Sequence, residues 1–326
     1  MSKATVRALG WGLFDAIIAR SAERGLTNPW QRLPNGQPHF EPDYRTLMEL
    51  LGVPIFLRAS SQSGVPALAL DVWIAHELRR AGLDSDAVWP RSEAPRVLPG
   101  PIARLLDGAG RDRALIERRL RIIGGGITGA SAEVLGKNYR KQVDVVVSDW
   151  STGPEILIST KRMDSSFGKN AANRVEESYG DAKNLRLRYP QAALGFVYGL
   201  NSMILTQEPL KADWLIDLLG KLGREDDAYH AVCLVLMDFS QQPPPDSSDG
   251  GDGDEAAPTA DVVDDVDEDE VAAALDSLPE VAILRDRVPV ALRPETFLAT
   301  ILNRVLDNTP IDYHREARRL RDAAAE

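Results

Sequence analysis

Two short runs of the chain carry residue types that could do chemistry together. In Val143-Asp144-Val145-Val146-Val147 one aspartate stands among valines, and Glu155-Ile156-Leu157-Ile158-Ser159-Thr160-Lys161 is an apolar stretch that ends on a lysine. Stiff β-branched side chains favour a strand, and their apolarity says that the strand is buried. A carboxylate in such a strand is costly unless it is paired or bound to a metal. Side chains alternate at period two, so Glu155, Leu157, Ser159 and Lys161 share one face while Ile156, Ile158 and Thr160 share the other. An acid and an ammonium on neighbouring strands could hold a hard cation and steady charge on an anionic substrate.

The elements that must position these residues follow from the surrounding periodicity. A short helix at 131 to 135 leads to a strand at 142 to 149, a turn at 151 to 154 and a strand at 155 to 160. A helix from about 165 to 188 and a strand at 192 to 200 come next, extended by a helix at 211 to 223 and a strand at 229 to 239. This order predicts an α/β architecture, a mixed sheet flanked by helices. Upstream, Leu9, Leu13, Ile17 and Ile18 mark a helix over 4 to 24, the Pro, Asn and Gly residues of 28 to 42 mark a loop, and Leu70, Ile74 and Leu78 mark a second helix over 67 to 81. A proline-rich connector leads to a basic helix at 111 to 123. The GGGITG that follows lacks the strand and the lysine of a phosphate-binding loop and reads as a turn. Two helices are expected near the C-terminus, one opened by Pro294 and Glu295 and one after Pro310.

The chain has 326 residues, 44% of them hydrophobic, enough for one substantial core with additions. Its net charge is −11, yet residues 241 to 270 hold twelve Asp or Glu and no Lys or Arg, so the remainder sums to +1. The acidic pI therefore does not argue against a nucleic-acid partner. That acidic segment has the composition of a disordered linker. The single cysteine, Cys233, allows no internal disulfide, which fits a reducing cytoplasm. No apolar stretch is long enough to span a bilayer, and four scattered histidines suggest no zinc site. Trp73 and Trp214 sit in apolar helical contexts and read as core.

Between about 130 and 200 the residues resemble the PD-(D/E)xK nuclease superfamily, which includes most restriction endonucleases and many phage-defence nucleases. Asp144 falls on the family's first acid and Lys161 on its lysine, with sixteen residues between them, enough for a strand, a turn and a second strand. Val143 stands where the family loosely keeps a proline, and Ser159 stands where it has its second acid. Some restriction enzymes that cut sites with a CCGG core have Ser-x-Lys here and take the acid from the next helix. In this chain that helix offers Glu176 and Glu177. Phe167, Ala171, Val175, Ala182 and Leu185 make its apolar stripe; Glu176 is read as flanking the stripe and Glu177 as facing solvent. Glu133, on the preceding helix, is the alternative acid.

The resemblance implies a three-layer α/β/α restriction-endonuclease-like core and a Mg²⁺-dependent DNA endonuclease, with Mn²⁺ able to substitute. Asp144, Glu176 and the carbonyl of Thr160 would bind the metal, Lys161 would polarise the attacking water, and Ser159 would hydrogen-bond a water in the site. Arg162, Lys169 and Arg174 are expected against the DNA backbone. The organisation is then a helical recognition or dimerisation region (1 to 123), the nuclease core (124 to 240), the acidic linker (241 to 270) and C-terminal helices (271 to 326). A homodimer cutting both strands of double-stranded DNA, as a type II restriction or phage-defence enzyme beside a DNA methyltransferase, is the expected setting. The alternative is a catalytically inactive member that serves as a DNA-binding or assembly subunit.

Overall fold

The computed structural model describes all residues except 1–4, 26, 35, 37, 124–131, 166, 245–267 and 325–326, and within its helices the side chains of 121–123, 168–174, 268 and 270 lie outside the description. The GGGITG turn and most of the acidic segment fall among the undescribed residues.

The helices are α1 (Val6–Glu23), α2 (Tyr44–Phe56), α3 (Val65–Arg80), α4 (Gly100–Gly108), α5 (Arg113–Ile123), α6 (Phe167–Arg186), α7 (Ile204–Gln207), α8 (Pro209–Leu222), α9 (Glu268–Leu275), α10 (Pro294–Asn308) and α11 (Arg315–Ala323). The strands are β1 (Trp30–Arg32), β2 (Pro38–Phe40), β3 (Val88–Trp89), β4 (Ala132–Leu135), β5 (Arg140–Val143), β6 (Val145–Asp149), β7 (Gly153–Met163), β8 (Ala193–Asn201), β9 (Ala231–Phe239) and β10 (Val281–Ile283). Six strands form one mixed sheet in the order β10-β9-β8-β7-β6-β3. β7, β8 and β9 run parallel at its centre, joined through α6 and α8; β6 and β10 flank them antiparallel, and β3 pairs antiparallel with β6 at the edge.

Period-two alternation along the central strands builds two separate cores. Val145, Val147, Ile156, Ile158, Val197, Cys233 and Val235 face one way, where α1, α2, α3 and α10 cover them with Phe14, Leu50, Trp73 and Ile301. Val146, Leu157, Leu194, Phe196, Tyr198 and Leu234 face the other way, against Val175, Ala182 and Leu185 of α6 and Leu215 and Leu219 of α8. The sheet is thus covered by helices on both faces. β3 lies within the segment assigned to an amino-terminal region and β10 within the carboxy-terminal one, so all three parts of the chain share one sheet and one core. Among the described residues no helix is long and apolar enough to cross a membrane.

Two expectations need correction, and one helix was not anticipated. The expected helix at 131–135 is β4, hairpinned to β5, because Ala132 and Val134 point inward while Glu133 and Leu135 point out, a period of two. The segment after Pro42 contains α2, opened by Asp43, whose carboxylate accepts the amide of Thr46. Trp214 is 44% exposed, whereas Trp73 is buried as expected and donates its indole N–H to the carbonyl of Asp43.

β8 shows how its residue sizes position the layers. Ala193, Gly195, Val197 and Gly199 form a shallow face on which α3 and α10 approach, while Leu194, Phe196, Tyr198 and Leu200 fill the deeper side. A β-carbon on Gly195 would lie 2.7 Å from the Phe297 ring, and one on Gly199 would lie 2.9 Å from Leu70. Gly195→Ala should therefore destabilise the protein by about 1–3 kcal/mol in urea unfolding through overpacking. Phe297→Leu, which makes room for the new methyl, should recover part of that loss in the double variant.

Candidate active site

β6 pairs with β7 only as far as Val145 opposite Ile158, whereas β7 continues alongside β8 to Met163. Asp144 stands where the chain leaves β5 and enters β6, and past this point one edge of β7 has no partner strand among the described residues. A backbone N–H left there needs an acceptor. The Asp144 carboxylate supplies it, taking the Thr160 amide at 2.7 Å. On the other face of the sheet, the Thr160 hydroxyl donates at 2.6 Å to the buried carboxylate of Asp71 on α3. Thr160 thus fixes the aspartate to β7 and β7 to the helical layer.

Ser159 and Lys161 project from β7 toward α6, into a small cleft that Asp144, Lys141, Gln142, Phe196, Tyr229, Ser178 and Asp181 also line. Tyr229 donates to the carbonyl of Ser178 at 3.0 Å and stacks on Phe196 with centroids 5.3 Å apart. Burial, then the nearby Asp181 and Asp144 carboxylates, push the Tyr229 phenol far above its ordinary range, so it stays protonated. Ser159 is a buried residue that lines the cleft beside Tyr229.

Asp181 supplies the carboxylate from α6. It is 6% exposed, accepts the Tyr139 hydroxyl at 3.0 Å, and pairs with the Lys141 ammonium at 2.7 Å. Glu176, the acid expected from the sequence, is exposed and does not line the cleft, and Glu177 is exposed too. Helix geometry explains the difference: from the middle of the apolar stripe, at about 100° per residue, Asp181 stands roughly 75° away and Glu176 roughly 145°. The alternative acid Glu133 lies on the outer face of β4 and pairs with Arg140 at 3.0 Å.

The remaining expected contacts are distributed differently. Arg162 points to the opposite face, its side chain 4% exposed, where it binds Asp164 at 2.9 Å and the carbonyl of Pro66 at 3.0 Å, so it is not a DNA contact. The side chains of Lys169 and Arg174 lie outside the described residues. Glu155 is the extra residue of a bulge between β6 and β7 and pairs with His314 at 3.2 Å, away from the cleft.

Asn184 of α6 holds the β4–β5 hairpin over the site. Its side chain accepts the Asn138 amide at 2.8 Å and donates to the Tyr139 carbonyl at 3.1 Å, while its own carbonyl takes the Lys137 amide at 2.9 Å. A β-carbon on Gly136 would lie 2.1 Å from the Asn184 side chain, so glycine is required at that close approach. This clamp brings Tyr139 and Lys141 onto Asp181. Sequence reasoning missed it by reading a helix at 131 to 135, just before Gly136-Lys137-Asn138, which marks a hairpin turn between alternating segments. Nothing in the sequence marked Tyr229, which begins an apolar strand as a core residue would.

Among the described residues no three His, Cys, Asp or Glu side chains converge as metal ligands. The cleft offers two carboxylates, and its donors are oxygens, which suits Mg²⁺, a cation that usually takes one or two carboxylates and keeps waters and substrate phosphates for the rest. A larger cavity of about 420 Å³ lies between α8 and α10, lined mainly by apolar groups such as Ile216, Val232, Leu292 and Phe297. Its His230 accepts the Leu194 amide through Nδ1, and burial, with Arg304 and Arg186, pushes its pKa down to about 3, so it is neutral and not poised for acid–base work. Compared with family models, curated proteins and solved structures, the chain matches none.

Partial burial and the hydrogen bond to the Asp181 carboxylate push the Tyr139 phenol up to about 12 from its ordinary 10.0. The folded state therefore keeps a proton that the unfolded chain loses, and the resulting stability, complete below pH 10, is lost as pH rises toward 12. Tyr139→Phe should flatten this alkaline part of the stability profile relative to the wild type in urea titrations.

Proposed function

We propose that the chain is a Mg²⁺-dependent endonuclease with a restriction-endonuclease-like core that hydrolyses phosphodiester bonds of double-stranded DNA. The observation that carries this reading is the convergence of Asp144, Lys161 and Asp181, from a strand junction, the neighbouring strand and the following helix, on one cleft. This is the Ser-x-Lys variant of the resemblance, with Asp181 in place of Glu176 as the acid from the helix.

Asp144, Asp181 and the carbonyl of Thr160 would hold the cation, which when bound neutralises charge building on the phosphate. Lys161, whose ammonium lines the same cleft, orients the attacking water and offsets negative charge on the scissile group. Ser159 and Tyr229 form the fixed wall that sets the position of Lys161 on β7. Exposed cations on α5, including Arg118 and Arg119, offer backbone contacts in place of Arg162. A homodimer serving restriction or phage defence is the setting we favour, since two strands need two sites.

One observation favours the second reading, an inactive DNA-binding or assembly subunit: Asp181 is already paired with the Lys141 ammonium and hydrogen-bonded by Tyr139. Activity separates the two. Asp144→Ala, Lys161→Ala and Asp181→Asn should each lower Mg²⁺-dependent cleavage of duplex DNA by about 100-fold or more. Glu176→Gln should cleave like wild type. Full cleavage by the first three variants would refute the assignment, and a folded wild type that binds DNA but nicks nothing with Mg²⁺ or Mn²⁺ would establish the second reading.

A further inference from the structure

The Lys141–Asp181 pair sits where the proposed cation would bind, and this inference rests on the nuclease reading. The two oxygens of Asp181 have different partners. Oδ1 accepts the neutral Tyr139 hydroxyl at 3.0 Å, and Oδ2 meets the Lys141 ammonium at 2.7 Å. A carboxylate oxygen has a second lone pair, so the hydroxyl can stay when a cation arrives. The ammonium cannot stay on Oδ2, because two positive charges within about 3–4 Å repel strongly in a partly buried site.

Lys141 is also built to leave. Its side chain is 20% exposed, against 9% for Asp181, so the lysine is the more solvent-accessible partner of the pair. The lysine stem is flexible, and its ammonium acts as a point charge that can follow an anion. Both residues are held by backbone that the Asn184 clamp fixes, so the movement needs only side-chain rotation.

We propose that Lys141 is a placeholder for the divalent cation: its ammonium holds Asp181 until a substrate phosphate draws it outward, so that cation and phosphodiester enter the cleft together. The ligand class is a hydrated divalent cation paired with a phosphodiester. In the absence of DNA the ammonium keeps the metal affinity low, and by linkage each ligand raises the affinity for the other.

The test is a titration of the full chain with Mn²⁺ alone, without DNA, following free Mn²⁺ by electron paramagnetic resonance. Lys141→Gln should bind Mn²⁺ about tenfold more tightly than wild type. Lys141→Arg, which keeps the charge, should stay close to wild type, and Lys141→Gln combined with Asp181→Asn should lose the gain. Should the glutamine variant fail to fold, Lys141→Met supplies a similar volume without charge. Equal or weaker Mn²⁺ binding by the neutral variant, or a gain that survives Asp181→Asn, overturns the placeholder. If that happens while Asp144→Asn still loses both Mn²⁺ binding and cleavage, the nuclease reading stands without it; if no form binds Mn²⁺ and the wild type cleaves nothing, both fall.

Discussion

Where β6 stops pairing with β7, the amide of Thr160 loses its ladder partner, and the carboxylate of Asp144 takes it at 2.7 Å. A buried N–H without an acceptor would cost about 1–3 kcal/mol, so this bond is a condition for letting the strands part. The parting opens the cleft, since a fully paired β7 would leave Asp144 in the ladder and Lys161 beneath a neighbour. The same residue donates its hydroxyl to Asp71 on α3, so the junction is tied through the sheet to the helices behind it. One carboxylate thereby serves the backbone with one oxygen and faces the cleft that Lys161 and Asp181 complete.

Charge in this protein is buried in compensated groups. Glu77 is fully buried, which pushes its carboxyl up to about 7, yet it is paired with Arg80 and accepts the amide of Asp43 at 2.8 Å. Arg96 bridges Asp15 and lies over the Trp11 ring, and Arg91 is bound to Asp86. These groups join α1, α2 and α3 to the loop around β3, because breaking a buried pair leaves an uncompensated charge that costs several kcal/mol. The cleft differs in one respect. Lys141 and Asp181 are paired within it, and the lysine side chain, 20% exposed, is the partner that solvent reaches.

Much of the sheet was legible in the sequence. The apolar runs around 145–147, 156–158, 193–200 and 231–237 are buried strands, and the helices at 167–186 and 209–222 connect them as expected. Runs of this kind announce themselves because both faces of a central strand are buried. The two-residue strand β3 and the three-residue strand β10 were not legible: so few residues carry no period, and they pair only because the edges of a finished sheet accept them. Arg162 was misplaced because its neighbour in sequence, Lys161, points to the opposite face, and alternation alone does not say which face the substrate meets.

What the sequence determined by itself is the pair of strands after Asp144, the second bearing Lys161, since valine and isoleucine at these positions permit little else; it did not show that the chain breaks at Asp144 between β5 and β6. The acid from the helix was only partly determined. The stripe of α6 already leans toward Asp181, but its role depends on the β4–β5 hairpin lying across α6, clamped by Asn184, and bringing Tyr139 and Lys141 to one carboxylate. Contacts between segments forty or more residues apart leave no periodic trace in either segment. Tertiary packing therefore brought Asp181 into the cleft, set Ser159 beside Tyr229 and paired the Lys141 ammonium with that carboxylate.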